Sequence, residues 1–165
     1  MDRNRFRFHT VWELPAPPDA VRAVLERAGD YPRWWPQIRE VVPLGEGAAA
    51  ARIRSVLPYE IRITARALRR DPAAGVLELE MEGDLTGRAR WRLTAHGDGT
   101  RAVFDQEVVV RRPLLRRLTP LARPLLRANH TLMMRAGRRG LTALLRRGGP
   151  RRAPDPGTRE GLGGR

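Results

Sequence analysis

The chain has 165 residues, no cysteine and no lysine, so arginine supplies all 32 basic side chains and the formal net charge is +14. Without cysteine the chain cannot hold a disulfide framework, a thiol nucleophile or a thiolate metal site. No apolar run approaches the ~20 residues of a membrane span and the first ten residues lack an apolar signal region, so we expect a cytoplasmic protein.

The first part of the chain predicts a strand, a short helix and an aromatic turn. Residues 5–14 alternate between apolar and polar side chains, which is typical of a strand that faces a core. Asp19 marks the start of a short helix that Gly29 ends. Residues 30–36, Asp-Tyr-Pro-Arg-Trp-Trp-Pro, place three large aromatics between two prolines. Neither a long helix nor a central strand tolerates this pattern, so we expect a fixed turn.

Apolar and polar residues alternate with a period of two from residue 38 to residue 110. Turn signals, such as the one at 97–99, separate the alternating segments. Five or more consecutive strands with short turns predict an antiparallel meander with one polar and one apolar face. On the polar face, Glu78, Glu80 and Glu82 would lie between two rows of arginines. Opposite charges on neighbouring strands stabilise a sheet by about 0.2–1 kcal/mol per pair, so most of these arginines need no nucleic-acid partner. The rows are Arg62 and Arg66 on one side and Arg88, Arg90 and Arg92 on the other.

Residues 121–145 predict a long amphipathic helix, because apolar side chains recur on one side at about 100° per residue. Thr119 and Pro120 would start it, after a separate short helical turn, and Pro124 would kink its first turn. Its outer face is almost purely cationic. The predicted inner face consists of Ala122, Leu125, Asn129, Leu132, Met133, Ala136, Gly140, Ala143 and Leu144.

Three segments, together with this order of elements, resemble a known superfamily. They are Tyr-Pro-Arg-Trp-Trp-Pro at 31–36, Gly-Asp-Leu-Thr-Gly-Arg-Ala-Arg-Trp-Arg-Leu at 83–93, and Asn-His followed by Met at 129–134. Over about residues 5–147 the chain resembles the START-like superfamily, and within it the bacterial polyketide cyclase/dehydrase or SRPBCC proteins.

The resemblance implies an α+β helix-grip fold of the START and Bet v-like type. In this fold a curled antiparallel sheet wraps a long C-terminal helix and leaves a hydrophobic cavity between them. Residues 1–147 would form this single domain. Residues 148–165 lack an apolar period and predict a disordered basic tail. Members of the superfamily bind lipids, polyketides, quinones or other apolar small molecules, and some are cyclases or aromatases.

Small residues on the predicted inner faces leave two alternatives open. Either the helix lies very close to the sheet, or space remains, because a filled interior would use larger side chains at near-crystalline density. The small residues are Ala65, Ala67, Gly87, Ala89, Ala95, Ala136, Gly140 and Ala143. We predict a cavity that binds an apolar small molecule. The predicted ligand-binding residues are Trp34, Trp35, Tyr59, Trp91, Gln106, Asn129 and Met133.

Polar groups on the apolar faces are informative because burying one without a partner is costly. Asn129 is the leading candidate, with Gln106, Ser55 and the hydroxyl of Tyr59, since a pocket for an apolar ligand typically has a few convergent polar groups. The alternative is that these groups bond to backbone or to one another.

The sequence leaves open whether the protein is an enzyme. No spacing links the three histidines as metal ligands and no nucleophile motif appears, so we predict neither a metal nor a cofactor. A polyketide cyclase-type reaction would use His130, Tyr59 or Asp84 as general acid or base. His130 lies about 100° from Asn129 on the predicted helix, and we expect it at the surface rather than at the pocket edge.

The basic character belongs to the C-terminal third. Residues 1–110 hold 17 arginines and 16 acidic residues, whereas residues 111–165 hold 15 and 2. Such a field attracts phosphate or an anionic membrane, where each basic residue contributes about 1 kcal/mol. Besides an apolar ligand, we therefore expect the anionic inner face of the membrane as an alternative partner. A solvated helix face or compositional bias would equally explain the excess of arginine. Nucleic acid is not expected, because the segment lacks a motif and stacking aromatics.

Overall fold

The structure, a computed structural model, describes residues 4–111 and 113–148. The predicted tail therefore lies outside the described residues, apart from Gly148. The elements in chain order are β1 Arg5–Leu14, α1 Pro18–Leu25, a 3-10 turn Ala28–Asp30, α2 Tyr31–Trp34, β2 Ile38–Gly45, β3 Ala48–Ile53, β4 Ile61–Asp71, β5 Val76–Gly83, β6 Leu85–His96, β7 Gly99–Val110 and α3 Pro113–Gly148.

The strands form one antiparallel sheet in the order β1-β7-β6-β5-β4-β3-β2. Strands β2 to β6 are each paired with the next strand in the chain, as the predicted meander requires, and β1 lies beside β7 with Phe8 opposite Gln106. The sheet is curled but not closed, and α3 follows it, which is the predicted α+β helix-grip fold.

The outer face of the sheet carries the predicted alternation of charge. Glu80 lies opposite Arg66 on β4 and Arg88 on β6. Glu78 lies opposite Arg90, and the two side chains form an ion pair of 3.2 Å. An exposed pair of this kind contributes little, but it gives Arg90 a partner within the sheet.

The aromatic turn is part of the core. Residues 31–34 form the four-residue helix α2, so the prediction of a fixed turn is confirmed, and both Trp34 and Trp35 are 5% exposed. The ring of Trp12 on β1 lies 5.6 Å from that of Trp35 and 4.8 Å from that of Trp91 on β6. This cluster joins the sheet to α2 and sets where α3 can lie.

Two glycines of α3 let the helix approach the aromatic turn closely. A Cβ at Gly140 would lie 1.6 Å from the backbone oxygen of Trp34, and one at Gly137 would lie 2.5 Å from the Trp35 ring. Any larger residue at Gly140 would therefore push α3 away from the core. At this end of the molecule the helix does lie very close to its neighbours.

Helix α3 begins earlier than predicted. It runs without interruption from Pro113 to Gly148 over 36 residues, so the prediction of a separate turn before a helix start at Thr119 and Pro120 is wrong. Each internal proline removes one backbone hydrogen bond, while the leucines, arginines and alanines around them favour the helix.

The inner face of α3 is also rotated from the predicted one. Leu125 and Leu132, predicted to face inward, are 54% and 48% exposed, whereas Met134, Leu141 and Leu145 are buried. The helix turns this way because its glycines fit against the two tryptophans, and that contact fixes which side meets the core.

Candidate functional site

A cavity of about 290 Å³ lies between the inner face of the sheet and α3. This is near the lower end of the 300–1,000 Å³ typical of small-molecule sites. Aliphatic and aromatic side chains form most of its wall, and five alanines of β3, β4 and β6 belong to it. These alanines are Ala49, Ala51, Ala65, Ala67 and Ala89.

Both alternatives left open by the sequence hold, in different places. The small residues of α3, such as Gly140, allow close approach to the aromatic turn. The alanines of β3, β4 and β6 line the cavity instead, with Leu126 and Met133 of α3 also on its wall.

Six of the seven predicted ligand-binding residues line the cavity. The exception is Trp34, which is buried in the core and does not contribute to the wall. Ligand contact by the other six stays a prediction. They are Trp35, Tyr59, Trp91, Gln106, Asn129 and Met133.

The indole of Trp35 is fixed by a hydrogen bond. Its Nε1–H donates to the backbone oxygen of Met133 at 3.0 Å. The bond satisfies the only polar atom of the ring and ties the aromatic turn to α3. Trp35 therefore presents a rigid apolar surface to the cavity.

Asn129 connects α3 to the segment between β3 and β4. Its Oδ1 accepts a hydrogen bond from the backbone N–H of Val56 at 3.2 Å. The amide oxygen is thus used for structure, as the alternative interpretation of the polar groups proposed. Ser55, which directly precedes Val56, has a buried Oγ without a hydrogen-bond partner in the described part of the chain.

His130 lies in a different place from the surface position that the sequence predicts. It lines the cavity, and its ring stacks on that of Phe8 with centroids 3.7 Å apart, so the expectation of a surface position is wrong. Its Nε2 lies 3.0 Å from Oε1 of Gln106. A carbonyl oxygen can only accept, so the neutral ring donates from Nε2. The 3.6-residue period through Leu126, His130 and Met134 was the signal that could have found it.

The environment keeps His130 uncharged. Burial lowers the pKa of His130 to about 4, because the apolar wall solvates the imidazolium poorly. Gln106 in turn directs its Nε2 toward Sδ of Met81 at 3.8 Å. Together His130 and Gln106 form one neutral polar pair on a mostly apolar wall.

The other predicted acid–base candidates have different surroundings. Tyr59 lines the cavity, whereas Asp84 does not. The Oδ2 atom of Asp84 accepts a hydrogen bond from the backbone N–H of Arg62 at 2.9 Å. Within residues 4–111 and 113–148, no three His, Asp or Glu side chains come together as a metal site would need.

The cavity lining reaches the protein surface in one region. All four of its exposed lining residues lie where the β2–β3 turn meets the end of β4, and they are Gly47, Arg66, Arg69 and Arg70. A backbone hydrogen bond of 3.0 Å from Ala67 to Gly47 joins the two segments. We call these four residues the mouth.

Fold and cavity together define a helix-grip protein with an internal apolar pocket. More particularly, the chain belongs to the family described as polyketide cyclase/dehydrase and lipid transport, whose model matches residues 5–146. The predicted START-like, polyketide cyclase/dehydrase relationship is therefore confirmed. No curated protein matches the chain significantly in sequence.

Solved structures share the fold at low identity. The ZhuI aromatase/cyclase from Streptomyces sp. R1128 is 21% identical with a TM-score of 0.70, over 87% of this chain and 94% of that one. A START superfamily protein from Mycobacterium smegmatis is 17% identical with a TM-score of 0.65, over 84% and 98%. A norcoclaurine synthase from Thalictrum flavum is 15% identical with a TM-score of 0.60, over 87% and 96%. In the described residues, no helix is long and apolar enough to cross a membrane.

Proposed function

We propose that the protein binds a hydrophobic small molecule, of lipid, polyketide or quinone type, between the sheet and α3. The observation that carries this proposal is the apolar cavity of about 290 Å³. An unfilled apolar space of this size lowers stability, because its lining loses packing contacts. A bound apolar molecule would restore them.

The cavity wall also restricts the chemistry of the inner part of the ligand. Its polar pair, His130 and Gln106, is neutral at pH 7 because burial lowers the histidine pKa to about 4. A neutral pair suits a hydroxyl or carbonyl group better than a charge, since charge there would lack a counterion. The part of the ligand beside it is therefore apolar with at most a neutral polar group.

The proposal is tested by extracting purified protein with organic solvent and identifying the extract by mass spectrometry. The stripped protein is then titrated with N-phenyl-1-naphthylamine, whose fluorescence rises in apolar sites. Ala65→Leu places a larger side chain in the cavity, and Ala50→Leu makes the same change outside the lining. Dye uptake by wild type and Ala50→Leu, but not by Ala65→Leu, supports the proposal. A wild type that carries nothing and takes up no dye contradicts it.

A second candidate function is a polyketide cyclase-type reaction in the same cavity, and His130 favours it. ZhuI, which shares the fold, is an aromatase/cyclase. A neutral imidazole can accept a proton from a bound carbonyl compound. However, a pKa of about 4 makes His130 a weak base, since the most effective base has a pKa near the working pH. Binding alone is the better supported function.

The enzymatic candidate is tested with a linear poly-β-ketone substrate and product analysis. Loss of turnover in His130→Gln, with the affinity for the apolar dye retained, would support catalysis. Equal turnover in both proteins would exclude His130 from the reaction.

A third candidate is peripheral binding to an anionic membrane, and the exposed face of α3 favours it. Leu125 and Leu132 are exposed on that face beside Arg135 and Arg139. Exposed leucines among arginines are typical of helices that lie on anionic lipid. Sedimentation with phosphatidylglycerol vesicles but not phosphatidylcholine vesicles, weakened in a Leu125→Ser/Leu132→Ser variant, would support this role.

A further inference from the structure

Arg70 lies at the mouth of the cavity on the inner face of the sheet. A β-bulge between Ala67 and Arg69 shifts the register of β4 and places Arg70 opposite Leu77. Leu77 packs against the core and lines the cavity. Because directly paired residues point to the same face of a sheet, the bulge turns an arginine toward the cavity side.

The position of the guanidinium agrees with this register. A Cβ at Gly47 would lie 3.9 Å from Nη2 of Arg70 and 3.7 Å from the Cβ of Ala67. Ala67 and Gly47 both line the cavity. The guanidinium thus lies beside the β2–β3 turn at the rim of the mouth, with the apolar wall directly behind it.

Arg70 has no partner of its own in the described part of the chain, where it makes neither a hydrogen bond nor an ion pair. The two acidic residues on the same cavity wall pair elsewhere. Glu78 contacts Arg90 at 3.2 Å and Glu26 contacts Arg22 at 3.5 Å. The five N–H donors of Arg70 are therefore available to a ligand that occupies the mouth.

We propose that the ligand is an amphiphile whose single acidic group binds Arg70 at the mouth while its apolar part fills the cavity. This inference rests on the proposed binding function and names the class of ligand. A guanidinium pairs with a carboxylate or phosphate through two parallel hydrogen bonds. At an exposed rim the acidic group keeps part of its water, so binding avoids the cost of burying a charge.

The test compares one anionic probe with its neutral counterpart. Parinaric acid, a fluorescent fatty acid, and its methyl ester share the same apolar chain and differ in the acidic group. Both are titrated below their aggregation concentrations at pH 7.5 against wild type, Arg70→Gln, Arg70→Lys and Arg62→Gln. Arg62 lies on the same strand outside the cavity lining and is the matched control for the loss of one positive charge.

We expect Arg70→Gln to weaken binding of the acid by roughly 10-fold or more, as loss of a charge-assisted hydrogen bond predicts, and to leave the ester unchanged. Arg70→Lys should retain part of the affinity, and Arg62→Gln all of it. Octadecyl phosphate, added as a competitor, distinguishes a phosphate head from a carboxylate head.

Equal affinity of the acid for wild type and Arg70→Gln, with the ester still bound, would overturn this inference and leave the proposed function intact. Equal weakening in Arg70→Gln and Arg62→Gln would also overturn it, because net charge alone would then attract the acid. If neither probe binds wild type although it takes up the apolar dye, this inference is overturned and the proposed function stands; if the protein carries nothing and also takes up no dye, the proposed function itself fails.

Discussion

Substitution of Ala65 by leucine tests the cavity through the sign of a stability change. Ala65 faces the cavity from β4, opposite Ala49 on β3 and Met81 on β5. Leucine adds three carbon atoms, and each contributes about 0.8 kcal/mol when it is buried in empty apolar space. Ordering the leucine side chain costs about 0.5–1 kcal/mol. We expect the unliganded protein to gain about 1.5 kcal/mol in free energy of unfolding.

Thermal unfolding of delipidated protein measures this gain. For a chain of this size, 1 kcal/mol shifts Tm by about 2–4 °C, so Ala65→Leu should raise Tm by roughly 3–6 °C. The same variant should lose the apolar dye, because the added side chain takes the space of the ligand. Stabilisation together with loss of binding is the signature of a filled cavity.

The opposite sign would refute this reasoning. If other side chains already filled the space at Ala65, the leucine would overpack the interior and cost about 1–3 kcal/mol, so Tm would fall. Ala50→Leu is the control, since Ala50 does not line the cavity, and a change outside the core is expected to stay within about 0.5 kcal/mol. A lower Tm for Ala65→Leu with an unchanged Ala50→Leu would show that the cavity is not empty.

Three further changes test the framework around the cavity. Gly140→Ala should lower the free energy of unfolding by about 1–3 kcal/mol. Gly148→Ala, at the last residue of α3 where a Cβ meets open space, should change it by less than about 0.5 kcal/mol. Equal effects of the two substitutions in urea unfolding would contradict the close approach at Gly140. The free energy of unfolding should fall as the pH is lowered from 6.5 to 4, by at most about 1.4 kcal/mol per pH unit, because only the unfolded state protonates His130 in this range. The difference in pH dependence between wild type and His130→Gln measures this contribution. An identical dependence of the unfolding free energy on pH in the two proteins would refute it. Asn129→Leu should speed hydrogen exchange at the amide of Val56, and unchanged protection would show that their bond is not formed in solution.

Much of the sheet was predictable because its signal is local. The alternation in β4, β5 and β6 follows directly from the sequence, and so does the placement of Glu78 and Glu80 between arginine rows. The pairing of β1 with β7 was not predictable from periodicity, since the two strands are about 95 residues apart in the chain.

The orientation of α3 was harder to predict than its existence. Leu125 and Leu132 are as hydrophobic as Leu141, and a count of apolar residues cannot decide which of them faces the core. The decision comes from Gly140, which must lie against the backbone of Trp34. Since that contact joins residues more than 100 positions apart, no local pattern of the helix contains it.

The same rotation of α3 explains why the sequence pattern favours Asn129 as the polar group of the cavity, whereas the structure also places His130 there. On the predicted face the amide was central and the imidazole lay at the margin. In the structure both line the cavity, but the amide oxygen bonds to Val56 and the imidazole bonds to Gln106. The rotation of α3 therefore leaves the oxygen of Asn129 in a structural bond and adds His130 to the cavity lining.

Gln106, which bonds to His130, and Arg70 at the mouth lie on different strands of the sheet. Their separation bears on how a ligand would be oriented in the cavity. Gln106 is on β7 and Arg70 is on β4, with β6 and β5 between them. Three strand spacings amount to about 14 Å across the sheet, and Arg70 lies further along β4 than Ala67, the residue in the same cross-strand row as Gln106. The neutral pair belongs to the wall, whereas the cation lies at the exposed rim. Because a charge is far less costly at the rim than against the wall, an acidic ligand would enter with its apolar end first and leave its head at Arg70.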